Sequence, residues 1–230
     1  MRIAALSDMH GQLPATSEIK PVDAVLIAGD IFPLRTDKNA GESLKWLNTT
    51  FFDWIKELPA KKVIVTPGNH DLLFYWNYTG EASFGDMDEL IKTAGLKDKL
   101  TIAIDKTVDF EDKKIYCTPW VKKVPFWGFS SDNTYINFNE IPDDTDILLC
   151  HQPPSIGDTG KIFVGTPDET DYSDVNLKCI LLRKKIPIVI CGHIHEGQHG
   201  GVTEESTTVY NVSLLDEKYK RKFEITYLEV

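Results

Sequence analysis

The chain has 230 residues, of which 42% are apolar, 26% charged and 10% aromatic. These fractions match a globular chain with a sizeable core and exclude a collagen-like, disordered or membrane-embedded one. Thirty-five acidic residues against 25 basic ones give a net charge of -10, which argues against an extended phosphate-neutralising surface for nucleic acid.

In chain order, short apolar runs recur, each ending in a polar motif. Ile3-Ala4-Ala5-Leu6 runs into Ser7-Asp8-Met9-His10-Gly11, and the run over 22–28 into Gly29-Asp30. Val63-Ile64-Val65-Thr66 runs into Pro67-Gly68-Asn69-His70-Asp71. Ile147-Leu148-Leu149-Cys150 ends at His151, and Ile188-Val189-Ile190-Cys191 at Gly192-His193-Ile194-His195. Continuous β-branched runs of this length predict strands buried on both faces. Leu44, Leu47, Phe51, Ile55 and Leu58 trace one helix face that Pro59 ends, and further helices are expected over 86–94 and 175–185. Alternating stretches at 100–104, 107–110, 113–117, 207–212 and 223–228 predict half-exposed, more antiparallel strands.

No repeat, low-complexity tract or flexible linker interrupts the pattern, so one domain over 1–230 is expected. Cys117, Cys150, Cys179 and Cys191 show no paired spacing, which predicts reduced thiols and a cytoplasmic setting. The apolar run before Asp8 is too short for a signal-peptide core, and no stretch reaches the roughly 20 residues of a membrane span.

In an open α/β sheet, ligand sites form outside the carboxyl ends of strands, so the polar tips can converge. Together they offer Asp8, His10, Asp30, Asn69, His70, His151, His193 and His195. Carboxylates, an amide and imidazoles are a mixed N/O set suited to divalent Mn, Fe or Zn. The i, i+2 spacing of Asp8 with His10 and of His193 with His195 puts each pair on one side of an extended strand end.

The order Asp8-x-His10, Gly29-Asp30, Gly68-Asn69-His70-Asp71, His151 and Gly192-His193-x-His195 resembles the calcineurin-like metallophosphoesterase superfamily. The flanks Cys117-Thr118-Pro119-Trp120, His151-Gln152-Pro153-Pro154 and His195-Glu196-Gly197 look like its brain metallophosphoesterase-domain subfamily, whose members act on phosphodiesters including cyclic nucleotides. The resemblance implies an α/β fold, a four-layer αββα sandwich of two mixed β-sheets flanked by helices. It also implies two divalent metal ions, Mn²⁺ first, with Fe or Zn as alternatives. Asp8, His10 and His195 would hold one ion, Asn69, His151 and His193 the other, and Asp30 would bridge. The Gly-Asp motif continues Ile31-Phe32-Pro33 and lacks the Asp-Arg-Gly extension of the protein Ser/Thr phosphatases, so Arg35 is carried over as a phosphate contact only by its vicinity.

Two such ions about 3.5–4 Å apart share a water, lower its pKa and clamp phosphoryl oxygens, so hydroxide attack on phosphorus is the expected step. His70 is the expected general acid, the alternative being a structural imidazole. Asp71 either orients His70 or another site group, as part of the catalytic set, or caps the following helix. His199 lies in a Gly-rich loop, either against the substrate or simply exposed. Trp127, within Trp120, Phe126, Trp127 and Phe129, either stacks on a substrate ring or packs in the core.

The expected partner is a small phosphate ester, with no extended nucleic acid and no membrane. Hydrolysis of a small phosphodiester, a cyclic nucleotide among the candidates, is the leading expectation. A phosphomonoesterase and a non-catalytic protein-binding scaffold of the same fold are the alternatives.

Overall fold

Among the residues that the computed structural model describes, 1–82 and 85–230, the β-branched runs form the central strands of two sheets. The elements run β1 (Arg2–Leu6), β2 (Val22–Ala28), α1 (Ala40–Trp46), α2 (Phe52–Glu57), β3 (Ala60–Thr66), α3 (Leu72–Thr79), α4 (Met87–Thr93) and β4 (Leu100–Ile102). They continue with β5 (Lys106–Phe110), β6 (Lys113–Thr118), β7 (Val121–Lys122), β8 (Ser130–Ser131), α5 (Thr134–Asn139) and β9 (Ile147–Cys150). Then follow β10 (Lys161–Ile162), β11 (Thr170–Asp171), α6 (Val175–Lys184), β12 (Ile188–Cys191), β13 (Gly200–Glu204), β14 (Thr207–Asn211) and β15 (Thr226–Glu229).

The first sheet has the order β15-β1-β2-β3-β4, parallel except for β15. The second has the order β13-β14-β12-β9-β6-β5, parallel at its centre with antiparallel β13 and β5 at its edges. Successive side chains on a strand point to opposite faces. Val25 and Ile27 of β2 therefore meet Leu47, Phe51 and Ile55 on the outer side, while Ala24 and Leu26 face Ile147, Leu149 and Ile190 of the other sheet. Leu148, Val189 and Val209 cover Leu177, Ile180 and Leu181 of α6. The layers are thus helix, sheet, sheet, helix, as expected.

The long helix read from the 44–58 pattern is interrupted between α1 and α2 by a π-helical turn, Leu47–Phe51. The buried pairs Trp46/Leu47 and Phe51/Phe52 stand five residues apart, the period of that wider turn. At their carboxyl ends the two sheets are tied together: Ser7 N donates to the Val212 carbonyl (2.9 Å) and Leu214 N to the Ser7 carbonyl (3.0 Å). That seam is where the polar tips meet.

Candidate metal centre

Four of the expected ligands, Asp8, His10, Asp30 and His193, have positive φ values of 53°, 43°, 55° and 69°. Left-handed backbone at a non-glycine residue costs about 1–2 kcal/mol each and persists only where surrounding bonds enforce it. Here Asp8 N donates to the Gly29 carbonyl and His10 N to the Asp30 carbonyl, both at 3.0 Å, and His193 N donates to the Asp8 carboxylate. The tight turns aim the side chains across the strand ends. Gly68 and Gly192 are required by the same crowding: a Cβ at Gly68 would strike the Asp30 carboxylate, and one at Gly192 the Asp8 carboxylate and the Ser7 hydroxyl.

The donor atoms of Asp8, His10 and His195 lie within 4.8 Å of one another, as do those of Asp8, Asp30 and His151. His195 Nε2 is 3.4 Å from Asp8 Oδ1. Asp30 Oδ2 is 3.7 Å from His10 Nε2 and 3.3 Å from His151 Nε2, so one carboxylate oxygen faces both groups. Asn69 Oδ1 is 3.1 Å from His151 Nε2, and the His193 ring lies 5.0 Å from that of His151. The seven expected ligands therefore converge.

The outward-facing ring nitrogens are fixed by backbone. His151 Nδ1 donates to the Ala28 carbonyl (2.6 Å) and His195 Nδ1 to the Asp216 carbonyl (2.9 Å), which leaves Nε2 of each facing the cluster. His10 Nδ1 is buried with no hydrogen-bond partner among the described residues. Two buried carboxylates beside several imidazoles are hard to sustain without cations, and such a set fits divalent transition ions.

Electrostatics follow the geometry. Burial would push His151 down, but the Asp30 charge and hydrogen bond overrule it and hold the group up at about 9. His195 is likewise held at about 9, against burial, by Asp8. Burial dominates at His10, which falls to about 4, and at His193, which falls to about 3 with His151 adding to the effect. Burial opposes ionisation of Asp8 and Asp30, yet their histidine partners hold both carboxyls below the usual range.

A family model, the Calcineurin-like phosphoesterase, matches residues 1–197. The chain belongs to that family. Human metallophosphoesterase domain-containing protein 1 is 27% identical over 95% of this chain and 68% of its own. A UPF0046 protein of Caenorhabditis elegans is 27% identical over 97% of this chain and 79% of its own. The phosphopantetheinyl hydrolase of Mycobacterium tuberculosis shares the fold, with a TM-score of 0.54 and 14% identity over 94% of this chain and 90% of that one. The phosphoesterase is metal-dependent by family, and the clustered Asp and His groups suit divalent ions. Among its described residues no helix is long and apolar enough to cross a membrane.

The other site residues expected from sequence divide sharply. His70 stands beside the cluster, its ring 4.9 Å from His10 and its side chain 13% exposed. Trp127 lies against His70, with ring centroids 3.7 Å apart, so the aromatic segment does reach the site. Asp71 does not face it. Its buried carboxylate accepts from the backbone N–H groups of Asp30, Ile31, Phe32 and Gly68 at 2.8–3.2 Å. It holds the backbone of the Asp30 loop and makes no hydrogen bond to His70 among the described residues, and it gives α3 no side-chain cap. Burial and the Asp30 charge push its carboxyl up to about 7, against the pull of those N–H groups.

Arg35 lines a cleft with Glu42, Lys45, Trp46 and Thr49. His199 donates from Nε2 to the His195 carbonyl (2.9 Å) and stacks on Phe223 at 3.6 Å. It braces the ligand loop and does not line the cavity beside His195.

Sequence reasoning missed Asp37, whose Oδ2 lies 2.9 Å from His70 Nδ1. It also missed Ser213, whose hydroxyl donates to Asp8 Oδ2 (2.7 Å), and Tyr219, whose ring is edge-on to His10 and His195. Ser213 was within reach, since Asn211-Val212-Ser213 repeats the pattern of an apolar strand ending in polar residues. Asp37 and Tyr219 sit in loops with no such signal.

Proposed function

We infer that the protein is a dinuclear phosphodiesterase acting on small diesters, with cyclic nucleotides among the candidate substrates. Asp8, His10 and His195 would hold one divalent ion, Asn69, His151 and His193 the second, with Asp30 between them. Mn²⁺ is the first choice, and Fe or Zn suits the same donors. Bound ions of this kind lower the pKa of water and neutralise phosphoryl oxygens. The chain supplies the remaining steps. His70 Nδ1 is held by Asp37, which leaves Nε2 to protonate the departing ester oxygen. Trp127 packs on His70 with ring centroids 3.7 Å apart and carries Lys38 Nζ 4.1 Å over its ring, so it braces the general acid. The free thiols, three of them buried, favour a reducing, cytoplasmic setting.

The observation that carries the diester reading is that no cationic side chain is bonded to the ligand groups; Lys38 stands at the edge, its Nζ 4.1 Å over the Trp127 ring that packs on His70. Among the described residues no Lys or Arg joins the hydrogen bonds or ion pairs of the eight Asp, Asn and His side chains around the centre. A phosphomonoester carries about -1.5 to -2 at neutral pH, because its second pKa is about 6. A diester carries a single negative charge and needs less counter-charge beyond the ions. The test compares Mn²⁺-loaded protein on bis-p-nitrophenyl phosphate and on p-nitrophenyl phosphate. The expected result is kcat/KM at least about tenfold higher on the diester, and preference for the monoester would overturn the reading.

A further inference from the structure

The loop Asp216-Glu217-Lys218-Tyr219-Lys220 is held more tightly than an exposed turn requires. Tyr219 has φ +56°, unusual for an aromatic residue. Its N–H donates to the Asp216 carbonyl (2.8 Å), and its carbonyl accepts from Gln12 Nε2 (2.8 Å). Asp216 N donates to the Lys220 carbonyl, and Asp216 Oδ1 accepts from Lys218 N and Lys220 N, each at 2.9 Å. The Asp216 carbonyl also receives His195 Nδ1, so the loop is anchored on a ligand side chain. Strain sustained by this many bonds at a site edge is a mark of a positioned group.

The group positioned is the Tyr219 ring, 4.9 Å from His10 and 5.4 Å from His195 and nearly perpendicular to both. Opposite stand Ile162 of β10 and Tyr172 just after β11, and His193 and His195 border the same cavity of about 260 Å³. Glu217 is its one carboxylate, and no Lys or Arg lines it. Neither His70 nor Trp127 lines it.

Pockets that enclose a whole drug-sized ligand run to about 300–1,000 Å³. This one has room for a single substituent whose phosphoryl group sits at the ligand cluster. With His70 protonating the departing oxygen, the leaving arm of a diester lies on the His70–Trp127 side. The arm that stays on phosphorus is left for the cavity. Two phenol rings and Ile162 favour a planar group, and Glu217 accepts hydrogen bonds but repels anions.

We propose that Tyr219, Tyr172 and Glu217 form the subsite for the retained arm of a phosphodiester, and that this arm is an uncharged planar group bearing hydrogen-bond donors. The proposal rests on the diesterase reading above and names its substrate class. Bis-p-nitrophenyl phosphate and methyl p-nitrophenyl phosphate share one leaving group and differ only in the retained arm. The expected result is that Tyr219→Ala and Tyr172→Ala each raise about tenfold the ratio of the bis-aryl ester's KM to the methyl ester's KM, with Tyr172→Ala leaving kcat within twofold of wild type. Tyr219→Phe keeps the aryl preference. Glu217→Gln improves about tenfold the hydrolysis of 4-carboxyphenyl p-nitrophenyl phosphate.

Calorimetric binding of methyl phenyl phosphate and dimethyl phosphate to the Mn²⁺-loaded protein reads the subsite without turnover. Wild type favours the aryl ester about tenfold, and both alanine variants lose that advantage. If wild type hydrolyses no diester yet shows this Tyr219-dependent advantage, the activity reading falls and the subsite stands. If the aryl advantage survives both alanine variants, or both esters weaken equally, the subsite is overturned whatever the turnover.

Discussion

His70 and Asp37 form a pair in which the carboxylate, 2.9 Å from Nδ1, selects the tautomer, while Trp127 packs on the imidazole at 3.7 Å. Replacing Asp37 by Asn keeps the volume but removes the carboxylate that accepts from Nδ1 and fixes the tautomer. General acids contribute about 10²–10⁴-fold, so Asp37→Asn is expected to lower kcat by about 10²-fold at unchanged metal content. Parallel kcat and metal stoichiometry measurements check this, and an unaltered kcat would remove His70 from proton transfer. The remaining histidines make a second prediction. In chelator-stripped protein His151 and His195, held at about 9, carry protons at pH 7, whereas His10 and His193, pushed down to about 4 and 3, do not. An imidazole must be neutral at the nitrogen that ligates. Loading with Mn²⁺ at pH 7 should therefore release about two protons, and apparent affinity should rise with pH and level off above about 9. Titration calorimetry in buffers of different ionisation enthalpy measures the release, and a value below one contradicts the ligand assignment of these two residues.

At the scale of elements, Asp71 is the fastener between the loop after β2 and the loop after β3. Its removal leaves the N–H groups of Asp30, Ile31, Phe32 and Gly68 without that acceptor in a buried place. An unsatisfied buried donor costs about 1–3 kcal/mol, so Asp71→Ala should lose at least about 3 kcal/mol of stability. Urea unfolding in excess chelator isolates this loss from any effect on metal binding, and a change under 1 kcal/mol would show that water replaces the carboxylate. Sequence pattern revealed the strands and the tips because β-branched runs ending in Asp, Asn or His carry both signals in consecutive residues. It revealed α6 and α4 almost to their ends, where Asp174 and Asp86 cap the first turns. The π-helical turn was hidden, since Leu47, Phe51 and Ile55 satisfy a regular helix while Trp46 and Phe52 need the wider one. The main-chain partners of Asp71 and His199 were hidden for a related reason. Each lies next to a site motif in sequence, yet the local backbone turns its side chain onto main-chain groups.

For the whole molecule, two mixed sheets joined at their carboxyl edge bring residues as distant as Asp8 and His195 within 3.4 Å. No local propensity encodes that approach, which is why Asp37 and Tyr219 became visible only once the layers were assembled. The net charge of -10 acts at the same scale. Two divalent ions would bring it from -10 to -6, so an anionic ester still approaches a protein of its own sign and is attracted only close to the centre. Charges farther apart than the Debye length, about 10 Å at 0.1 M salt, are largely screened. Salt therefore weakens the long-range repulsion more than the short-range pull of the site. On a monoanionic diester, kcat/KM should stay level or rise as KCl goes from about 50 to 300 mM, the opposite of a protein that steers its substrate with a basic surface. Stopped assays at fixed Mn²⁺ over that range measure it. A fall of threefold or more would mean that a cationic path leads the substrate in, and the charge argument against extended polyanions would fall with it.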